Sequence, residues 1–486
     1  MCVFMRAFFQ ISSFSTVNRK FFLKFLLTFL FSPWLFAQNA LPDLGDVASS
    51  SLPQFEQNKI AQELIQQIKR DSSYLNDIDS EFYLSQIGKR LQQAAKHPLP
   101  LSFFILQNSS INAFALPGGI IGVYSGLILN SQNESELAGV LAHEIAHVTQ
   151  NHIARNVYQN KQLLWASLLG LGAAAIAGTA GANSDSAGAA LALTQGVVAH
   201  KELSFSRDLE READRIGFET LKQAHFETRA MASFFNRLMN NKNEKNALVY
   251  LQTHPLTLER LSDMQNRDSK TPYRQIASSL DFYLIRARLS VLANHPKQAQ
   301  MLFQNYVQHQ RYPNRAAAFY GLALAYLRLN DGENALKNIE NALKIEKNPF
   351  LISLKAQVLL QQNENEKALV LLKKAMAENL QNSALKLHYA DALIQNQQFQ
   401  AAYDFLNAIT PKTPREYQWM AKASLALKQM ANYHLALGES ALLEGLFSAA
   451  VHHFEQGEKL AESDFYKASQ IRSRLDFAQK RWQESK

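Results

Sequence analysis

The chain has 486 residues, 47% hydrophobic and 19% charged, which is material for two or three packed domains. A total of 50 lysines and arginines against 42 acids gives a formal charge of +8. Four of those cations, Arg6, Arg19, Lys20 and Lys24, lie in an acid-free leader, and without it the charge is a mild +4, which implies no nucleic-acid partner.

In the leader, Arg19-Lys20 and Lys24 precede the short apolar run Phe25–Phe31 and then Ser32-Pro33-Trp34-Leu35-Phe36-Ala37. A positive region, an apolar core too short for a span of about 20 residues, and a small residue mark 1–37 as a cleavable export signal. Leu35 departs from the small residue usual at the −3 position, so the cut itself stays open, and a retained N-terminal anchor is the competing reading. Export points to a Gram-negative periplasm. The single cysteine, Cys2, leaves with the leader, so the mature chain has neither a disulfide nor a thiolate ligand.

Residues 38–57 read as a linker, rich in Pro, Ser and Asp at its start, and a protease domain is expected over 58–270. Asn58–Ala95 has helical spacing at Ile60, Leu64, Ile65, Ile68, Phe82, Leu84, Ile87 and Leu91. Leu101–Ile105 is strand-like. Asn112–Leu116 and Ile120–Tyr124 flank Pro117-Gly118-Gly119, a turn signal that predicts two more short strands. Extended substrate is expected to pair beside the first of these, at Asn112, Ala113 and Phe114, with an internal strand of the fold as the alternative.

The run Glu134–Asn156 predicts a helix, with apolar residues at Leu137, Val140, Leu141, Ile145 and Val148 and a cap at Asn133 supported by Glu136. It contains His143-Glu144-Ile-Ala-His147. Histidines four apart share a helix face and can reach one ion, and neutral imidazoles suit zinc. Glu144 can then take a proton from a water polarised by that ion. His152, nine residues past His143, is turned away on a continuous helix and reads as a surface or capping residue.

From Gln162 to Ser184 there is no charge, and Gly170, Gly172, Gly178 and Gly181 argue against a membrane span. A buried helical hairpin and an apolar flap over the cleft are the two readings of residues 162–200. Further on, Glu210-Arg-Glu-Ala-Asp214 puts two carboxylates on one helix face. Glu210 supplies the third metal ligand, and Asp214 accepts the free N–H of a ligand imidazole. His254-Pro255 and Arg260 follow. His254 and Arg260 are candidates to hold the oxyanion of the reaction. Two other readings of His254 are that it ends a helix, or that it reaches the ion and blocks the water site.

From Asp281 small residues recur twelve apart: Ala287/Ala299, Ala323/Ala335, Ala356/Ala368, Ala390/Ala402 and Gly438/Ala450. Successive pairs start 36, 33, 34 and 48 residues apart, near the 34-residue period of tetratricopeptide helix pairs. Residues 281–480 therefore predict a tetratricopeptide array that binds protein segments, with a degenerate repeat or an insertion around Thr410–Pro414.

Together His143-Glu-x-x-His147, Glu210-x-x-Ala-Asp214, Asn112-Ala-Phe-Ala-Leu-Pro-Gly-Gly119 and His254-Pro255 with Arg260 resemble the gluzincin branch of HtpX-type and CAAX prenyl proteases. The export signal and repeats place the resemblance with its soluble, exported members; spanning helices, found in the membrane-embedded ones, are not expected. The resemblance implies an α+β, mostly helical zinc-metalloprotease domain with a small β-sheet, followed by an all-α repeat domain. It carries over one zinc per chain on His143, His147 and Glu210, with Glu144 as general base. It also implies a periplasmic endopeptidase that degrades misassembled outer-membrane proteins and assists their assembly, with the β-barrel assembly machinery as partner of the repeats. A chaperone or scaffold with an idle zinc site, and a membrane-anchored quality-control protease, are the rival readings.

Overall fold

The computed structural model describes residues 53–97, 100–159, 205–240, 245–269 and 274–485. The 1–37 stretch read as an export signal, most of the 38–57 stretch read as a linker and the 162–200 segment lie outside the described residues. Helix α1 (Gln54–Arg70) begins inside the last stretch read as linker, and α2 (Ile78–Ala94) follows, capped by the Asp77 side chain on Ser80 N. Strands β1 (Ser102–Leu106), β2 (Ala113–Leu116) and β3 (Ile120–Tyr124) then form a sheet of order β1-β3-β2. β1 runs parallel to β3, Ser102 opposite Ile120, and β2 antiparallel, Ala113 opposite Val123. The turn from β2 to β3 holds Gly118 and Gly119 at φ 74° and 80°, where a side chain would be strained.

The sheet is covered on both faces, which is why its strands read as continuous apolar runs. Phe104, Leu106, Phe114, Leu116, Ile120 and Tyr124 point to Ile60, Leu64 and Ile68 of α1. Ile105, Ala113, Ile121 and Val123 point the other way, into a core with Leu84 and Leu91 of α2 and with Leu137 and Leu141, which share a helix with His143 and His147 (the metal helix of the sequence reading).

A short helix, α3 (Ser125–Asn130), leads to α4 (Glu134–Thr149), whose Asn133 cap accepts from Glu136 N at 2.9 Å. Helix α4 does not continue to Asn156 as the spacing predicts. Asn151 adopts φ 51°, the left-handed conformation that ends helices, and α5 (His152–Gln159) starts afresh. Four helices complete this half: α6 (Arg207–Gln223), α7 (Arg229–Asn240), α8 (Lys245–Thr253) and α9 (Leu258–Ser269).

Twelve helices follow among the described residues. They begin as pairs, α10 (Leu280–Ala293) with α11 (Pro296–His309), α12 (Arg315–Arg328) with α13 (Gly332–Ile345), α14 (Pro349–Gln361) with α15 (Asn365–Glu378), and α16 (Ser383–Gln395) with α17 (Phe399–Ala408). Then come α18 (Pro414–Ala426), α19 (Met430–Leu443), α20 (Phe447–Leu460) and α21 (Phe465–Ser485). The small residues twelve apart are buried where paired helices cross, and a Cβ on Gly438 would meet the Phe454 ring at 2.4 Å. The 48-residue step has a simple cause: α18 is one whole helix standing between the fourth small-residue pair and the fifth.

No gap in packing marks the passage between the halves. One core runs from Leu75 through the metal helix to Leu354 of α14. Glu134, in the first turn of α4, accepts from Ser279 N and Ser279 Oγ at 3.0 and 2.7 Å, and Ser279 caps α10. The metal helix is thereby tied to the first helix of the array. Among the described residues no helix is long and apolar enough to cross a membrane.

Candidate metal centre

Helices α4 and α6 cross at a point where α6 carries no side chain. A Cβ on Gly217 would lie 3.1 Å from the backbone N and Cα of His143, so glycine there lets α6 approach closely. That approach brings Glu210 and Asp214, one turn apart on α6, to the two nitrogens of one imidazole. His143 Nε2 is 3.4 Å from Glu210 Oε2, and His143 Nδ1 is 3.0 Å from Asp214 Oδ1. His147, one turn along α4, sets its Nε2 3.1 Å from His143 Nε2 and 3.4 Å from Glu210 Oε1.

His254, just past the end of α8, closes the group. Its Nδ1 lies 3.0 Å from Glu210 Oε1 and 3.4 Å from His143 Nε2, and its Nε2 lies 3.4 Å from Glu144 Oε1. Tyr250 stacks on the His254 ring with centroids 4.7 Å apart. His143, His147, Glu210 and His254 are all buried, and each offers a ligand atom within 4.8 Å of the others. A tetrahedral ion with bonds of about 2.0–2.1 Å would hold its ligand atoms roughly 3.3 Å apart. The separations of 3.0 to 3.4 Å between these groups fit that figure, so the side chains suit such an ion.

The electrostatics follow from burial. Burial alone would lower His143, but Asp214 and Glu210 raise it to about 10. Burial would raise Glu210, yet His254, His143 and His147 hold it well below the carboxylate range. His147 is lowered, chiefly by burial, which favours the neutral ring. Burial pushes Glu144 up, with His254 and His143 opposing, which favours a carboxylate that accepts a proton readily.

Arg260 is buried and fully engaged. Its Nε and Nη2 contact Asp214 at 2.6 and 2.8 Å, its Nη1 lies 2.7 Å from Glu210, and Nη1 also donates to Pro255 O. It engages the Glu210 and Asp214 carboxylates of α6. Strand β2 is the sheet edge on this side. Tyr124 N donates to Asn112 O, so by antiparallel alternation Asn112, Phe114 and Leu116 bond inward to β3. Ala113 and Ala115 aim their backbone groups outward, and the Ala115 amide acts on Glu144. The Phe114 ring lies over Gly122 and packs edge-on to Tyr124, so its side chain belongs to the core.

His152 corrects the sequence reading. It is wholly buried, with Nδ1 2.9 Å from His147 Nδ1 and Nε2 3.3 Å from Glu212 Oε2. The break at Asn151 swings it back over α4, where an unbroken helix would have turned it away. An asparagine after the last apolar residue was the available signal. Phe205, stacked on His147 at 3.9 Å between centroids, carried none.

Residues 80–268 match the Peptidase family M48, and residues 359–425 match the Tetratricopeptide repeat family. The chain is 32% identical over 429 residues to the Beta-barrel assembly-enhancing protease of Escherichia coli (strain K12), covering 86% of this chain and 87% of that one. It is 31% identical over 462 residues to a Putative beta-barrel assembly-enhancing protease of Vibrio cholerae, covering 90% and 91%. Over 190 residues, 38% of this chain and 70% of the other, it is 29% identical to Metalloprotease YcaL of Escherichia coli (strain K12). The fold is the expected α+β protease half with a small sheet, joined to helical repeats, and the activity is that of a metalloprotease. The chain carries tetratricopeptide repeats and belongs to the M48 peptidase family, with the relatives it matches over most of its length named beta-barrel assembly-enhancing proteases.

Proposed function

We propose that the protein is a periplasmic zinc endopeptidase that hydrolyses misfolded or stalled outer-membrane β-barrel proteins and assists their assembly. The observation that carries this reading is the convergence of His143, His147 and Glu210 on one point, with Glu144 beside it. Three of the four donors are nitrogen, which favours zinc over harder cations. When bound, zinc supplies Lewis-acid polarisation of water and of the peptide carbonyl. Glu144 takes the proton from the attacking water and passes it to the leaving amine. Asp214 holds His143 through Nδ1, and Arg260 fixes Asp214 and Glu210 in place, so Arg260 acts on substrate only through them.

His254 is the group that decides whether the site is open. With Nδ1 beside Glu210 and His143 it would take the place a water needs on a bound ion and hold the enzyme latent; displaced by substrate, it would be free to assist the oxyanion. The substrate backbone lies along β2, bonding to the outward groups of Ala113 and to the Ala115 carbonyl, which need no particular sequence in the client. Unfolded β-barrel strands suit such pairing. The repeats of 281–480 engage the assembly machinery, the catalytic half of 58–270 supplies the cut, and the leader 1–37 directs export.

The test is cleavage of an unfolded outer-membrane protein by wild type and by Glu144→Gln. Wild type should cut and the variant should not. Equal cleavage by both removes Glu144 from the chemistry, and no cleavage by either, with or without His254→Ala, favours a chaperone with an idle site.

A further inference from the structure

Two imidazoles face the candidate ion from α4, and their far nitrogens have different partners. His143 Nδ1 meets the Asp214 carboxylate at 3.0 Å, an arrangement common for metal-bound histidine. His147 Nδ1 meets another imidazole, that of His152, at 2.9 Å. His152 is wholly buried and reaches Glu212 Oε2 with its other nitrogen, and Glu212 accepts from Arg155 Nη1 at 2.8 Å.

We infer that His152 is a positioning residue for the metal centre: it fixes the tautomer and ring orientation of His147, and Glu212 fixes His152 in turn. The protons admit one arrangement. For Nε2 of His147 to offer a lone pair, its proton must sit on Nδ1. That proton is donated to His152 Nδ1, which must then be bare, so the His152 proton sits on Nε2 and is donated to Glu212. Reversing the first bond would put a proton on His147 Nε2 and remove it as a ligand. The carboxylate of Glu212 therefore selects the productive direction from two bonds away. Phe205, stacked flat on His147, restrains the ring's tilt, and the left-handed Asn151 is what carries His152 into reach.

The inference rests on reading His147 as a metal ligand, and the experiment separates the two. Zinc affinity is measured by chelator competition, and the cobalt-substituted protein is examined for its d–d absorption, in wild type, His147→Ala, His152→Phe, His152→Gln and Glu212→Leu. His152→Phe keeps a ring but no acceptor and should weaken zinc binding about 10–100-fold and shift the cobalt spectrum. His152→Gln, whose amide oxygen can accept the His147 proton, should recover most of the affinity. Glu212→Leu should shift both readouts in the same direction by less. Should His152→Phe fail to fold, the glutamine and leucine variants decide, since the carboxylate is partly exposed. Wild-type affinity in His152→Phe, an equal loss in the phenylalanine and glutamine variants, or no effect of Glu212→Leu overturns the assignment. Unchanged affinity in His147→Ala overturns the metal reading first and this inference with it.

Discussion

Arg288, on the first helix of the repeat array, donates to both carboxylate oxygens of Asp77, the residue that caps α2 of the protease half. The same guanidinium reaches Tyr320 Oη at 3.0 Å and Asp79 at 3.4 Å, and His388 Nε2 lies 2.8 Å from Asp79. Two repeat helices thus grip the start of one protease helix, and Tyr320 of a third holds the Arg288 guanidinium. Because the pair is buried, Arg288→Ala leaves Asp77 without a cationic partner and should cost about 3–5 kcal/mol. Denaturant unfolding measures it, and a loss below 1 kcal/mol would mean the contact is incidental.

Asp77 also gives the pair a pH signature. Burial alone would raise its pKa, but Arg288 holds it at about 2, below the ordinary carboxylate value. The unfolded chain therefore binds the proton more readily than the folded one. The stabilisation is fully present above the ordinary pKa near 4 and is lost as pH falls towards 2. Arg288→Ala should flatten that part of the acid-unfolding profile relative to wild type. Parallel profiles between pH 4 and 2 would contradict it.

At Gly217 even one methyl presses on the backbone of His143 and Ala142. Gly217→Ala should lower stability by about 1–3 kcal/mol through overpacking, and Gly217→Val by more. Since the contact sets the spacing between α4 and α6, zinc affinity should fall in the same order. Loss of stability with zinc binding intact would mean that the crossing point does not govern the site.

Much of the site was legible because its residues are spaced by one helical turn. His143 with His147, and Glu210 with Asp214, share faces whatever the rest of the chain does. The β2–β3 turn was legible for a similar reason, since Pro117-Gly118-Gly119 is local chemistry. Two features were harder to read. The role of Arg260 depends on where α9 packs against α6, which no spacing within either helix encodes. The break before α5 depends on one asparagine taking a left-handed conformation, and its place after Val148, the last apolar position of the run, was the one local sign of it. The array showed the converse: its period exposed the extra length near Thr410–Pro414, but only the fold identifies that length as the single helix α18.

His254 lies among the ligand atoms, so removing it should act unlike removing Glu210. His254→Ala should retain zinc, with modestly reduced affinity, and should raise the basal cleavage of an unfolded protein. A variant that keeps zinc but is as inactive as Glu144→Gln would assign His254 to transition-state stabilisation instead of restraint.

The most direct measurement is the zinc stoichiometry and affinity of purified wild type beside Glu210→Ala. Wild type should hold one ion per chain. In the variant, affinity should fall by more than the roughly 10–100-fold that loss of a supporting hydrogen bond costs, with the helical fold retained. An undiminished zinc complement and affinity in Glu210→Ala would contradict the assignment of the third ligand, and the hydrolytic site built on it.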